Sequence, residues 1–190
     1  ETGDTEPTGR HLHDALCLAC KRRLRQYLAG PVRADRRARG RRDRSQKHLH
    51  LNLTASFLCS PQAVKIMKSH TPHGGRIINI GTDSAKTPRA DSLPYTATKF
   101  ALQGMTHQLT MDGRKYGVVA SILHPGATLS SFSTRRGRTK AGPGATPDDY
   151  VMAAEDVAKI VVLMCSLPPE VNLYEATILP NHMRSFIGRG

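Results

Sequence analysis

Tyr95 and Lys99 stand four positions apart in LPYTATKFALQGM, a stretch whose apolar spacing predicts a helix. At that spacing both side chains lie on one helical face, within reach of a shared ligand. A phenol titrates at about 10 in water, so unaided it is a poor acid or base at neutral pH. A neighbouring ammonium favours the phenolate and draws that value toward the working range. The pair therefore has the chemistry of proton exchange with a substrate oxygen. Standing alone, it is also what a helix carries by chance: a half-buried tyrosine beside a solvated lysine.

The surrounding elements must position this pair. LNLTASFLCSPQAVKIMKSH is apolar and helical in spacing, with Pro61 expected to kink it or shift its boundaries. Gly74-Gly75 break the chain, and RIINI fits a buried parallel strand. The polar loop GTDSAKTPRADS then carries two hydroxyls, Thr82 and Ser84, toward the helix of Tyr95. Pro94 suits that helix's first turn. VVASILHP reads as a second buried strand, ended by Pro125-Gly126. A loop, ATLSSFSTRRGRTKAGPGATPDDY, precedes the helix AAEDVAKIVVLMCSL and a last strand, EATILP. This alternation predicts an α/β fold, and right-handed crossovers would place helices on both faces of a parallel sheet. Cys59 and Cys165 fall on apolar helix faces and are expected in the core.

Bulk properties set limits. A chain of 190 residues is long enough to bury a sizeable core in one domain. No apolar run approaches the roughly 20 residues that span a bilayer, and ETGDTEPTGR has no apolar signal region. With only four scattered cysteines, a reducing, cytoplasmic setting is expected rather than a disulfide scaffold. Asn52-Leu53-Thr54 matches the glycosylation sequon, but nothing else suggests secretion, so the match is read as chance.

The net charge of +13 is unevenly spread. Between Arg10 and Lys47, 13 Lys/Arg face three acids, whereas residues 48–190 carry 15 against nine. Residues 1–46 and 47–190 are thus read as separate segments. The first is dominated by RADRRARGRRDRSQ, has no strand or helix periodicity there, and is expected to be disordered if alone. HDALCLACKRRLRQYLAG ahead of it could form one amphipathic helix. His11, His13, Cys17 and Cys20 are zinc-ligand types in tight spacing without a second matching Cys pair, so no metal is expected. The arginine run lacks interleaved aromatics and a nucleic-acid-binding fold. It is read as a solvated tail rather than a nucleic-acid site.

RIINIGTDSAKTPRADSLPYTATKFAL followed by VVASILHPGATLSS, closing with SLPPEVNLYEATILP, resembles the short-chain dehydrogenase/reductase family in order and spacing. The resemblance covers residues 49–190 and implies a Rossmann-like parallel sheet flanked by helices, hydride transfer between NAD or NADP and a small carbonyl or alcohol, and Tyr95 as the acid/base. It implies that Lys99 lowers the tyrosine pKa and holds the nicotinamide ribose. Asn52 matches the asparagine that holds a water linking Lys99 to solvent. Pro125-Gly126 match the turn lining the nicotinamide pocket, and Ser130 matches the usual threonine beyond it. The family serine stands 13 residues before the tyrosine, where this chain has Thr82; Ser84 is the alternative. Family members often pair two helices across a four-helix interface, which implies a homo-oligomer.

The chain also departs from the family. No apolar strand followed by Gly-x-x-x-Gly-x-Gly occurs, nor an Asn-Asn-Ala-Gly turn, so the N-terminal dinucleotide-binding βαβ units are expected to be missing. Residues 1–46 are read as unrelated to that half, through a frame shift, a wrong start or a fusion. Two rival readings follow: a truncated, inactive family fragment acting as a binding or oligomerisation partner, and a basic nucleic-acid-binding protein.

Overall fold

Alternate residues of one central strand serve opposite faces, and helices cover both. The computed structural model describes residues 46–130, 151–181 and 183. After a helical turn at 46–48, a π-helical segment, Leu49–Thr54, runs into α1 (Ala55–Ser69). Strand β1 (Gly75–Ile80) follows, then a 3-10 turn (Asp83–Ala85) and the long helix α2 (Leu93–Gly113). A further 3-10 turn (Arg114–Tyr116) leads into β2 (Val118–Pro125); α3 (Ala154–Ser166) and β3 (Glu175–Ile178) complete the described elements. The three strands form one parallel sheet in the order β1-β2-β3. The expected Rossmann-like architecture is what the described residues form. Among them, β1 and β3 each have one unpaired side.

Burial explains the sidedness. Ile77 of β1 packs with Val118 and Ala120 of β2 against Met67 of α1, joined by Leu109 of α2. Ile78 and Leu123 point the other way and pack on Met164, Val157 and Val161 of α3. Each fully buried aliphatic side chain contributes about 1.5–3 kcal/mol relative to exposure. Asn79 interrupts this apolar pattern at 0% exposure, and its Nδ2 donates to Thr106 Oγ1 of α2 at 2.9 Å. Thr106 in turn donates to the Leu102 carbonyl at 2.8 Å, so both groups are satisfied and α2 is keyed to β1.

Several local expectations are refined. Helix α1 continues through Pro61. The proline's missing N–H deprives the Phe57 carbonyl of its ladder donor, but both residues are exposed and water can substitute. The irregularity falls upstream instead, where the Ala55 N–H bonds back to the His50 carbonyl and re-aims the turn carrying Asn52. Pro94 sits in the first turn of α2. The 3-10 turn that follows that helix ends at Gly117, at φ 65°, a left-handed conformation that suits glycine. Cys59 and Cys165 are half-buried rather than the fully buried core residues expected, and Cys165 packs at the margin of the Leu123–Met164 cluster. The His/Cys cluster at 11–20 and the proposed disorder of the arginine-rich segment fall outside the described residues.

Candidate active site

All the chemistry-bearing groups except Ser130 converge at the carboxyl ends of β1 and β2, where open α/β sheets place their ligands. Tyr95 is half-buried in the first turn of α2, and Lys99, one turn later, is 8% exposed. The Lys99 ammonium donates to the Ile80 carbonyl at the end of β1 (2.7 Å) and lies 5.9 Å from the Tyr95 ring centroid. The phenol ring also meets the His48 ring, centroids 5.7 Å apart in a T-shaped contact. Thr98 links in the third member: its Oγ1 donates to the Tyr95 carbonyl (2.8 Å) and accepts from Asn52 Nδ2 (3.3 Å). Asn52 is therefore brought onto α2 beside the Tyr–Lys pair.

Thr82 follows β1 directly and is buried. Its hydroxyl donates to Asp83 Oδ1 at 2.9 Å, while Asp83 Oδ2 accepts from Arg89 Nη2 at 2.7 Å. An ionised carboxylate is an acceptor only, so the Thr82 proton points at Asp83 and the hydroxyl presents a lone pair elsewhere. The Ser84 N–H reaches the same hydroxyl weakly, at 3.4 Å, and Ser84 itself is buried. Gly126 caps β2: its N–H donates to the Ile178 carbonyl at 2.8 Å. A Cβ there would lie 2.7 Å from Leu179 Cδ2 and 2.8 Å from Met183 Sδ, so any side chain would have to push the ends of those two side chains aside. Pro125 is half-buried at the strand terminus, and Ser130 is exposed, four residues past Gly126.

Three groups that sequence reasoning passed over complete the site's frame. His124 is fully buried beneath Thr82, and burial lowers its pKa, opposed by the Thr82 backbone and Glu175. Glu175 pairs with Lys86, which holds its carboxyl below the usual range, and accepts from Gln103 Nε2 at 3.4 Å. Asp83 is the third. The sequence signal for His124 was its place immediately before Pro-Gly; for Asp83 and Glu175 it offered none.

A cavity of about 1120 Å³ opens at the opposite, amino end of the strands, lined by His70, His73, Arg76 and Arg114 among others. Arg76 there donates to the carbonyls of Leu167, Pro168 and Val171. It serves the loop between α3 and β3, and none of the Tyr95 group lines that space.

The short chain dehydrogenase family model matches residues 29–141, more than half of the sequence. The chain belongs to the short-chain dehydrogenase family. The matched stretch begins at Ala29, within residues 1–46 and ahead of the arginine run. Uncharacterized oxidoreductase YohF of Escherichia coli K12 is 30% identical over 127 residues, covering 65% of this chain and 49% of the relative. Dehydrogenase/reductase SDR family member 11 of Bos taurus is 25% identical over 158 residues, covering 80% and 62%. The chain thus spans about half to three-fifths of these relatives' length. In structure, acetoin dehydrogenase YohF from Salmonella typhimurium superposes with a TM-score of 0.64 at 20% identity, covering 89% of this chain and 70% of that one. A 4-hydroxyisoleucine dehydrogenase complexed with NADH gives 0.59 at 21%, covering 73% and 59%. These structural likenesses establish the fold of this short-chain dehydrogenase. No helix among its described residues is long and apolar enough to cross a membrane.

Proposed function

We propose that this short-chain dehydrogenase is an NAD(P)-dependent oxidoreductase acting on a small carbonyl or alcohol, with Tyr95 as its acid/base. One observation carries the reading: an ammonium fixed at 2.7 Å on the Ile80 carbonyl stands 5.9 Å from the Tyr95 ring, at the ligand end of the sheet. A buried, immobilised cation favours the phenolate and makes proton exchange feasible near neutral pH. The donor set of phenol, ammonium and amide suits the ribose and carbonyl oxygens at the nicotinamide end of NAD or NADP. When bound, the dinucleotide would supply or take up hydride at C4 of its nicotinamide.

The chain's own residues divide the remaining work. Tyr95 gives a proton to the substrate oxygen in reduction, or removes it in oxidation. Lys99 lowers the tyrosine pKa and holds the ribose. Asn52, seated on Thr98, orients the water that resupplies the proton. Thr82, with Ser84 as the alternative, holds the substrate oxygen; Pro125 and Gly126 border the nicotinamide, and Ser130, in the loop beyond, meets the cofactor's amide or phosphate.

Titration with NADH and NADPH by fluorescence, followed by turnover across a carbonyl panel, tests the reading. Saturable binding is expected, with turnover falling about 10²- to 10⁴-fold in Tyr95→Phe. Turnover indifferent to that change would overturn it. The engagement of the Thr82 proton by Asp83 favours a second reading, an inactive family member serving as a binding partner. That reading expects no saturable fluorescence change.

A further inference from the structure

The imidazole of His124 is wholly buried at the end of β2, and one of its nitrogens faces both backbone polar atoms of Thr82. Nδ1 lies 3.2 Å from the Thr82 nitrogen and 3.0 Å from the Thr82 carbonyl oxygen. Nε2 lies 3.6 Å from Glu175 Oε1 and makes no hydrogen bond. The ring also fills the space a side chain would need one residue earlier. A Cβ on Gly81 would stand 2.5 Å from Nδ1 and 2.7 Å from Cε1. Gly81 and His124 thus form one fitted unit on which Thr82 rests.

One ring nitrogen cannot accept from the Thr82 N–H and donate to the Thr82 carbonyl at once. With the proton on Nε2, the ring points a donor at the Glu175 carboxylate and accepts from the Thr82 N–H. With the proton on Nδ1, the N–H of Thr82 loses its acceptor and a bare Nε2 lone pair confronts a carboxylate. Glu175, itself pinned by Lys86 and Gln103, therefore selects the first tautomer. Adding a second proton keeps the Glu175 contact but turns Nδ1 from acceptor to donor, exchanging which atom of Thr82 is held. The charged groups facing the ring are Glu175 from β3, Lys86 from the turn after β1 and Lys99 from α2. Two are cations, and with burial they hold the ring neutral at neutral pH.

We propose that His124 is a positioning residue for the Thr82 hydroxyl, that Glu175 sets its tautomer, and that protonating the ring unseats Thr82 and lowers turnover on the acid side. This rests on the reading of Thr82 as the group that holds the substrate oxygen. The seat itself is a property of the folded chain and can be read without substrate.

The test pairs ¹⁵N NMR of the full chain with pH–rate profiles. In the free protein, His124 should show a bare Nδ1 and a protonated Nε2 near neutral pH. The Thr82 amide should shift along the same titration curve, below the ordinary histidine range. A protonated Nδ1 in the neutral ring, or a Thr82 amide indifferent to the titration, would overturn the proposal. In turnover, wild type should show an acid limb in kcat. His124→Asn should abolish that limb while lowering neutral-pH kcat about 10-fold or more, as expected when a reacting group is displaced. Glu175→Gln should move the limb to lower pH, since removing the carboxylate further disfavours the imidazolium. An unaltered limb in His124→Asn defeats the proposal. Absence of any turnover in wild type instead counts against the oxidoreductase reading, and the NMR arm still decides the seat.

Discussion

The Lys99 ammonium donates to the Ile80 carbonyl at 2.7 Å, so the helix that carries Tyr95 is tied to the strand that precedes Thr82. That bond joins the Asn79–Thr106 pair in holding α2 against β1, and it does so at the end of the strand where the Tyr95 group lies. It also explains how a lysine comes to be 8% exposed without being stranded in an apolar site. Lys99→Met should therefore act twice. It leaves a half-buried carbonyl without its Lys99 donor, at a cost of about 1 kcal/mol seen in urea unfolding, and turnover should fall by about two orders of magnitude or more. Lys99→Arg should recover part of the stability but not the rate, because a planar guanidinium cannot occupy the same point.

The Thr82 hydroxyl offers a separate prediction. Thr82→Ser keeps the bond to Asp83 and removes only a methyl, so kcat should stay within a few-fold of wild type. Thr82→Val keeps the shape and removes the oxygen, and kcat should drop about 10²- to 10³-fold. Steady-state kinetics on both variants, with circular dichroism to confirm folding, separates the hydroxyl from the packing.

Gly81 is constrained by contact rather than by backbone angle. Gly81→Ala would push a methyl into the His124 ring, and overpacking of this kind costs about 1–3 kcal/mol. A double variant, Gly81→Ala with His124→Ala, should lose less than the two single losses added together. Strict additivity in thermal unfolding would show that the two positions are not coupled.

The Asn79–Thr106 pair should be worth more than its single bond suggests. Thr106→Val removes the bond from Asn79 Nδ2 to a buried hydroxyl, and a loss of about 1–3 kcal/mol is expected. Asn79→Leu together with Thr106→Val removes both polar groups and should recover much of that loss. Chemical denaturation of the three proteins measures it.

Acid sensitivity follows from Glu175 and His124, with the same sign. Glu175 has a depressed pKa in the folded state, first through its pair with Lys86, so its stabilising contribution is present above the unfolded carboxylate value and lost as pH falls through the folded one. His124 has a lowered pKa through burial, so the unfolded state binds its proton first and stability declines once pH drops below the ordinary histidine range. Lys86→Met should flatten the carboxylate part of the curve, at pH values below about 4.5, and also weaken the histidine part near pH 6, because it removes one of the cations that hold the ring neutral. Thermal melts across pH 3–8 distinguish the two regions.

The order of elements around the site was legible in the sequence because each carries its own local signature. RIINI and VVASILHP are short apolar runs between breakers, and α2 and α3 repeat their apolar residues at helical spacing. The Tyr95–Lys99 relationship was legible for the same reason: both residues sit on one helix, where spacing fixes geometry. What only the tertiary structure decided are contacts between groups far apart in the chain. Ile80 receives Lys99, Thr98 receives Asn52 from 46 residues away, and His124 comes to rest under Thr82 from 42 residues away. A polar residue such as Asn79 or Glu175 in a strand shows locally only that it interrupts an apolar pattern. Which partner satisfies it depends on how strands register and where helices cross them, and that is set by the packing of the whole sheet.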